Sequence, residues 1–589
     1  MDTGLNLENE VKILMNIKEK FDKMENIGVI GSPSSTSELT VDVLGTAVNK
    51  GLVGKFSILN YFQDGMEHYA LGQITEILMQ NIWTQDATMR GIIRQKGRVD
   101  PITEKQDTHT AKMIVSSVLA EGEDFIEPSI FGTVPATGTH IRLINEEIIK
   151  ALLSDYQEEL FYLGKTYGAD FNLPMWLKHF GKGLFGAGEA YHIGIFGKTG
   201  SGKSVLAKMM ITGYSHHKDM SIYILDPQGE FATEFSPNSE LATILKDKLD
   251  REIKIYTLQN VVFDYNESLL KKLIASTNFY DKLAIWSRNH KERFINGFIS
   301  VLKAKNTVEE EITPWNFYRR NAFNRIWREL GTDKFLEKAV GTRPPRERIK
   351  TAWENCDLDE MYSIWSGITS LFKYREEGIK LSELLKNVTK QGSLTIIDLS
   401  SRDKPKDIIW NDKIQLIAIE QILSKINDQA EELFKKGGNL NSLVVIDEAH
   451  RLAPREKSED EDIELIKSIF IDAVRTTRKF GLGWMFISQT LSSLHREILN
   501  QIRIFIIGFG LAWGLERLAL QDIVGGARES IRLYQNFKDP QSGLGKREYP
   551  FMTIGPISPL SFSGSPLFFT ALNYPDEFLK INFKRNIQS

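Results

Sequence analysis

The sequence predicts an α/β protein: a parallel sheet covered by helices and carrying a phosphate-binding loop, with a small β-barrel ahead of it and an all-helical insertion within it. Three observations carry that prediction. The first is Gly197-Lys198-Thr199-Gly200-Ser201-Gly202-Lys203-Ser204, set between the short apolar run His192–Phe196 and the helix-like start Val205–Met210. Strand, glycine-rich loop and helix start are the context that makes a G-x-x-x-x-G-K-[ST] match a P-loop. The second is a series of apolar runs with no polar face, at 193–197, 222–226, 253–256, 394–398, 443–447, 484–488 and 504–508. Strands buried on both faces read in this way. The third is Leu443-Val444-Val445-Ile446-Asp447-Glu448, four apolar strand residues ending in a pair of acids, the Walker B arrangement.

The chemistry accounts for the residue types. Gly197, Gly200 and Gly202 let the backbone curl so that the N–H groups of the loop, Thr199 and Ser201 included, face phosphate oxygens, and the helix beginning near Val205 adds a favourable field. Lys203 reaches the β- and γ-phosphates of a nucleotide such as ATP, and the Ser204 hydroxyl completes a Mg²⁺ shell. Asp447 is the matching metal-side carboxylate, and Glu448 is placed to polarise an attacking water. Ligands sit at the C-terminal ends of parallel strands, so the two motifs are expected to converge despite their separation. Two more strand ends belong to the same expected rim: Asp226, in Leu225-Asp226-Pro227-Gln228-Gly229-Glu230, and Gln489, in Ile487-Ser488-Gln489-Thr490. Gln489 suits sensing of the γ-phosphate or a helix start, and Asp226 suits a nucleotide contact or a structural turn. Arg475 and Arg478 close a helix ahead of the Gln489 strand. They suit either neutralisation of charge on a transferred phosphoryl group, often across an interface, or the field of a helix C-terminus.

Taken in order, residues 1–25 predict a helix, with Leu5, Leu7, Val11, Leu14, Met15 and Ile17 recurring among charges. Residues 26–165 predict the barrel from short, turn-punctuated runs: 27–31, 39–43, 56–59, 74–78, 113–119 and 139–143. Residues 166–261 hold a crossing segment and the first part of the core. Residues 262–392 turn helical, with Trp286, Trp315, Phe317, Trp327, Trp353 and Trp365 as candidate core aromatics, and 393–540 complete the core. Residues 541–589, with Pro550, Pro556, Pro559 and Pro566, predict an extended tail lying on another surface.

At 589 residues the chain is too long for one hydrophobic core. Its formal net charge of −4 excludes a polybasic tail, though not a local basic ring. The single cysteine, Cys356, excludes internal disulfides and cysteine-cluster zinc, and with no signal-like N-terminus or long apolar run the expectation is a cytoplasmic protein away from membranes.

These motifs together resemble the HerA-type ATPases of the HerA/FtsK superfamily. The residues that carry the resemblance are His192 ahead of the P-loop, Gly197–Ser204, the Asp226–Glu230 turn, Asp447-Glu448-Ala449-His450-Arg451, Arg478-Lys479-Phe480-Gly481 and Ser488-Gln489. The resemblance implies a RecA-like core and an N-terminal β-barrel assembly domain. It implies a homo-hexamer threading double-stranded DNA at the expense of ATP and Mg²⁺, and a nuclease or sirtuin-like effector partner in DNA processing or anti-phage defence. It implies roles for Lys203 and Ser204 with nucleotide and metal, Asp447 and Glu448 with metal and hydrolysis, Gln489 with γ-phosphate, Arg478 or Arg475 as a catalytic arginine, and His192 at the nucleotide. Two positions depart from the family pattern: Tyr191 stands where an arginine often precedes the histidine, and Gln228 replaces a common histidine. A DNA-translocating motor and a nucleotide-gated ring that organises an effector are the two functional readings that follow.

Overall fold

In the computed structural model the described residues are 17–583, apart from 100–102, 123–125, 184–185, 304–310, 342, 390–391, 460, 526–527, 544, 546 and 562–563. The expected N-terminal helix lies mostly outside them; its last turns, 17–22, are helical, with Ile17 and Phe21 buried. The chain forms two compact units, Met1–His216 with Met485–Ser589, and His217–Trp484.

The first unit begins with strands β1 (Asn26–Ile30), β2 (Leu39–Val43), β3 (Phe56–Gln63), β4 (Met66–Asn81), β5 (Asp107–Glu121), β6 (Ile126–Pro128) and β7 (His140–Leu143). Their order is β2-β1-β7-β3-β4-β5-β6, and pairing of β2 with β5 closes the barrel. Ile27, Leu39, Val41, Leu59, Ile74, Met113 and Ile141 fill its interior. The runs at 74–78 and 113–119 are the middles of much longer strands, β4 of 16 residues and β5 of 15. Their polar ends hide them from a pattern search. The pair slips register at Leu71/Gly72, where a Cβ on Gly72 would run into the Ile114 carbonyl. Only glycine permits that approach, and the bulge bends the long ribbon into the closed barrel.

Beyond the barrel the strands are β8 (Phe161–Thr166), β9 (Asn172–Met175), β10 (His192–Phe196), β11 (Ser221–Asp226), β12 (Ile253–Tyr256), β13 (Val261–Val262), β14 (Ile379–Lys380) and β15 (Leu394–Asp398). They continue with β16 (Ser442–Ile446), β17 (Leu482–Ser488), β18 (Ile502–Gly508), β19 (Pro550–Ile554) and β20 (Leu567–Ala571). In the first unit β10 lies between β18 and the end of β17, parallel to both, as the unbroken apolar runs require. Helix α1 (Lys203–Tyr214) follows the P-loop. The antiparallel strands β19, β20, β8 and β9 then extend the sheet from β18.

The expected extended tail is thus corrected. Residues 550–554 and 567–571 are sheet strands with Phe551, Met552, Leu567, Phe568 and Phe569 buried, and Asp576–Phe583 is a helix. Each run is only five residues long, and Pro550 stands at the first position of β19, where a proline costs least. The surrounding prolines and glycines masked both. Strand β8, at the end of the expected barrel, and β9, in the expected crossing segment, likewise belong to this sheet.

In the second unit β12, β15, β11 and β16 lie side by side and parallel. The stretch between β12 and β15 is helical, including Glu267–Ala275, Arg288–Lys303, Arg320–Leu330 and Leu358–Thr369, and β13 pairs with β14 where it departs and returns. Its aromatics form a core around the fully buried Trp365, whose indole N–H donates to the Phe317 carbonyl at 2.7 Å and whose ring lies 5.0 Å from Phe298 and 5.6 Å from Phe317. Trp327 and Trp353 stack at 3.6 Å. Trp286 and Trp315 are exposed instead, each beneath a cation, Arg348 and Lys380 respectively.

Within the first unit the barrel is stitched to the late strands by buried polar groups. The Gln73 amide donates to the Gly54 carbonyl at 2.9 Å and to the Phe568 carbonyl at 3.0 Å, and its oxygen accepts the Phe568 N–H at 2.8 Å. Ser116 and Ser117 hydroxyls donate to the carbonyls of Leu560 and Pro559. The Phe568 carbonyl also accepts the Tyr167 N–H at 2.9 Å. Replacing Gln73 therefore strands the Gly54 carbonyl and the Phe568 N–H, and Gln73→Ala is expected to destabilise the protein by on the order of 2 kcal/mol, read as a lowered urea midpoint.

Candidate phosphate-binding site

The P-loop is built by the end of β10 and the start of α1. Gly200 and Gly202 both have left-handed backbones (φ +81° and +89°), so both positions strain any other residue. Space enforces the same choice: a Cβ on Gly202 would lie 2.7 Å from the Tyr549 ring, and one on Gly200 would strike the Gln541 side chain. The buried Ser201 hydroxyl tucks beneath the loop between Gly197 and Gly508. Gly197 and Thr199 lie in the turn itself, and Lys203, Ser204 and Val205 are half-buried in the first turn of α1. The Lys203 ammonium donates to the Lys198 carbonyl at 3.2 Å, folded back over its own loop.

Gln489 stands directly after β17, and the Thr199 hydroxyl donates to its side-chain oxygen at 3.2 Å. The structure therefore brings the expected sensor against the phosphate loop. The following turn is held by Glu516, whose carboxylate accepts the Leu491 N–H at 2.7 Å and also the Ser492 N–H and hydroxyl. Glu516 had no motif to single it out in the sequence.

In the second unit the strand ends carry acids. Asp226 and Asp398 are register partners at the ends of β11 and β15. Asp447 follows β16, and burial, with the Glu448 charge next in size and Glu230 and Asp226 adding to it, pushes its carboxyl up to about 7. Glu448 has a left-handed backbone (φ +51°, ψ +43°), uncommon for a residue with a side chain and a mark of functional sites. Its carboxylate lies 3.3 Å from the His450 ring, and burial holds the His450 pKa below the usual imidazole value. His450 is a partner of the candidate catalytic acid that strand patterning alone did not assign.

A buried carboxylate crowded by like charge has the chemistry that a divalent cation relieves. Among the described residues no three His, Cys, Asp or Glu side chains form a cation cage. A Mg²⁺ held by one carboxylate, phosphate oxygens and water needs none, and the buried Asp447 carboxylate has the chemistry of such a donor.

Two expectations are corrected by geometry. His192 is fully buried beside Phe486, at the N-terminal end of β10. The loop begins five residues later at the other end of the strand, about 16 Å away, so His192 is a core residue and not a phosphate ligand. Tyr191 is equally buried: its hydroxyl donates to the Lys178 carbonyl, and burial pushes its pKa up to about 12. Asp226 spends its carboxylate on the backbone N–H groups of Gly229, Glu230 and Ala232, at 2.8, 3.2 and 2.9 Å, which makes it the cap of a turn. Arg475 and Arg478 are exposed ahead of β17.

Strand, glycine loop, helix and acid-tipped parallel strands define a P-loop nucleotide-binding protein. The family model described as the central domain of helicase HerA matches residues 190–426. The DNA double-strand break repair helicase HerA of Sulfolobus acidocaldarius is 23% identical over 374 residues, 62% of this chain and 62% of its own length. That of Pyrococcus furiosus is 24% identical over 385 residues, 61% of this chain and 62% of its own. VirB4 of Thermoanaerobacter pseudethanolicus, 14% identical, covers 71% of this chain and 97% of its own at a TM-score of 0.38, a likeness too slight to add to the sequence matches. Over residues 190–426 the chain is similar to the central domain of helicase HerA, and it spans about 62% of the length of the HerA helicases it matches.

Two outcomes are expected. Gly202→Ala combines a forbidden φ with a collision against Tyr549, and should abolish nucleotide binding by titration calorimetry while the far-ultraviolet circular dichroism stays native. The raised Asp447 carboxyl binds a proton more tightly in the folded chain than in the unfolded one, whose value is about 4. Its contribution to stability is therefore complete below about pH 4 and lost as pH rises toward about 7. Urea midpoints measured without Mg²⁺ should fall across that window, and Asp447→Asn should flatten the fall.

Proposed function

We propose that this chain hydrolyses ATP with Mg²⁺ and uses the cycle to move double-stranded DNA through a homo-hexameric ring, delivering it to a nuclease or another effector such as a sirtuin-like protein. The observation that carries the reading is the hydrogen bond from Thr199 in the phosphate loop to Gln489 at the end of β17. It supplies a direct route by which presence or loss of a γ-phosphate moves a strand-end loop. In this reading Lys203 and the loop N–H groups bind the phosphates, and Ser204 and Asp447 are the protein donors to Mg²⁺. Glu448, its carboxylate beside His450, orients and deprotonates the attacking water. The described residues include no helix long and apolar enough to cross a membrane.

Arg475 and Arg478 project from the surface of their own chain, which suits residues offered to the site of a neighbouring subunit. An arginine supplied in this way neutralises charge on the transferred phosphoryl group. The relatives named as DNA double-strand break repair helicases support DNA as the substrate. The basic helix Arg320–Leu330 supports it less, because Arg320 is bound to Asp359 and lies over Tyr362.

The test is the ATPase rate of the purified protein, with and without linear double-stranded DNA, beside its mass in solution. A hexamer whose turnover rises severalfold with DNA is expected; a ring whose turnover ignores DNA would instead make it a nucleotide-gated scaffold. Lys203→Ala should lose nucleotide binding. Glu448→Gln should keep ATP bound while turnover falls by about 10²–10⁴-fold.

A further inference from the structure

The P-loop accounts for the phosphates of a nucleotide and leaves its base and ribose unassigned. We propose that they lodge in the cavity beside the first turn of α1, against the ring of Tyr549. This rests on the reading of Gly197–Ser204 as the phosphate cradle.

The cavity has a volume of about 590 Å³ and is reached at Val205, the residue directly after Ser204. That size lies within the range of small-ligand sites. Its other walls come from Lys165–Asp170, with two segments far away in sequence, Arg547–Tyr549 and Thr570–Tyr574, and Glu577. A polyphosphate seated on the loop therefore continues straight into it.

Tyr549 is set for stacking before any ligand arrives. Its ring packs on Gly202, the last glycine of the loop, and its carbonyl accepts the Ala571 N–H at 2.9 Å, which fixes the backbone to β20. A ring held in place loses little entropy when a base stacks on it. Arg547 and Asn573 supply polar groups at the rim, the first a planar cation that suits either the base edge or an α-phosphate. Lys165, on the far wall, is already engaged by Asp170 at 3.4 Å and Glu577 at 2.9 Å.

The distinguishing measurement compares ATP with inorganic tripolyphosphate, each titrated into the full-length protein with Mg²⁺. Tyr549→Ala should weaken ATP roughly tenfold or more and leave tripolyphosphate binding unchanged, while Tyr549→Phe should bind ATP as the parent does. Asn573→Trp, at an exposed position, fills the cavity without touching the loop and should likewise cost ATP affinity alone, which keeps the test decisive should the alanine variant misfold. Unchanged ATP affinity in Tyr549→Ala and Asn573→Trp, or equal losses for both ligands, would overturn the assignment. Failure of the underlying reading looks different: Lys203→Ala would then bind both ligands as tightly as the parent.

Discussion

A strand covered on both faces cannot carry a charged side chain until it ends, and that constraint organises the protein. Strands β10, β11, β15, β16 and β17 are buried throughout. The P-loop, Asp226, Asp398, Asp447 and Gln489 each stand at or just past a strand's C-terminal end. Burial there gives the acids their character. Asp447 is raised because water cannot solvate its charge, and the same dryness makes a cation or a phosphate the natural counterpart.

This is why so much of the core was legible. An unbroken apolar run ending in a polar residue states both the strand and the place where its chemistry begins, and each predicted core run matches an observed strand to within one or two residues. Lys203 and Gln489 were readable because their positions follow from strand and loop geometry. The resemblance placed His192 at the nucleotide, but a strand carries its two ends apart, and His192 lies at the end away from the loop. Asp226 stayed open between a nucleotide contact and a turn because a pattern of residue types does not reveal which backbone N–H groups a carboxylate will meet.

The less legible parts are those whose stability comes from distant partners. Strands β4 and β5 hold buried polar residues, Gln73, Ser116 and Ser117, because carbonyls and an N–H from residues 559–568 satisfy them. Alternation alone cannot show a glutamine that belongs inside. The short runs that became β19 and β20 have the same difficulty, since neither is apolar for long enough to declare itself. Each is a strand only because β18 and β8 present edges to it.

That dependence also sets an order of events during synthesis. Strand β8 has only β9 beside it until β20, some four hundred residues later, has been made, and Tyr549 reaches Gly202 only then. While the chain is still on the ribosome, β8 and β18 present unpaired edges of the kind that invite the wrong partner. The nascent chain has its phosphate loop long before it has the segments that pack against it, so chaperones have most to protect in the interval before residues 549–571 emerge.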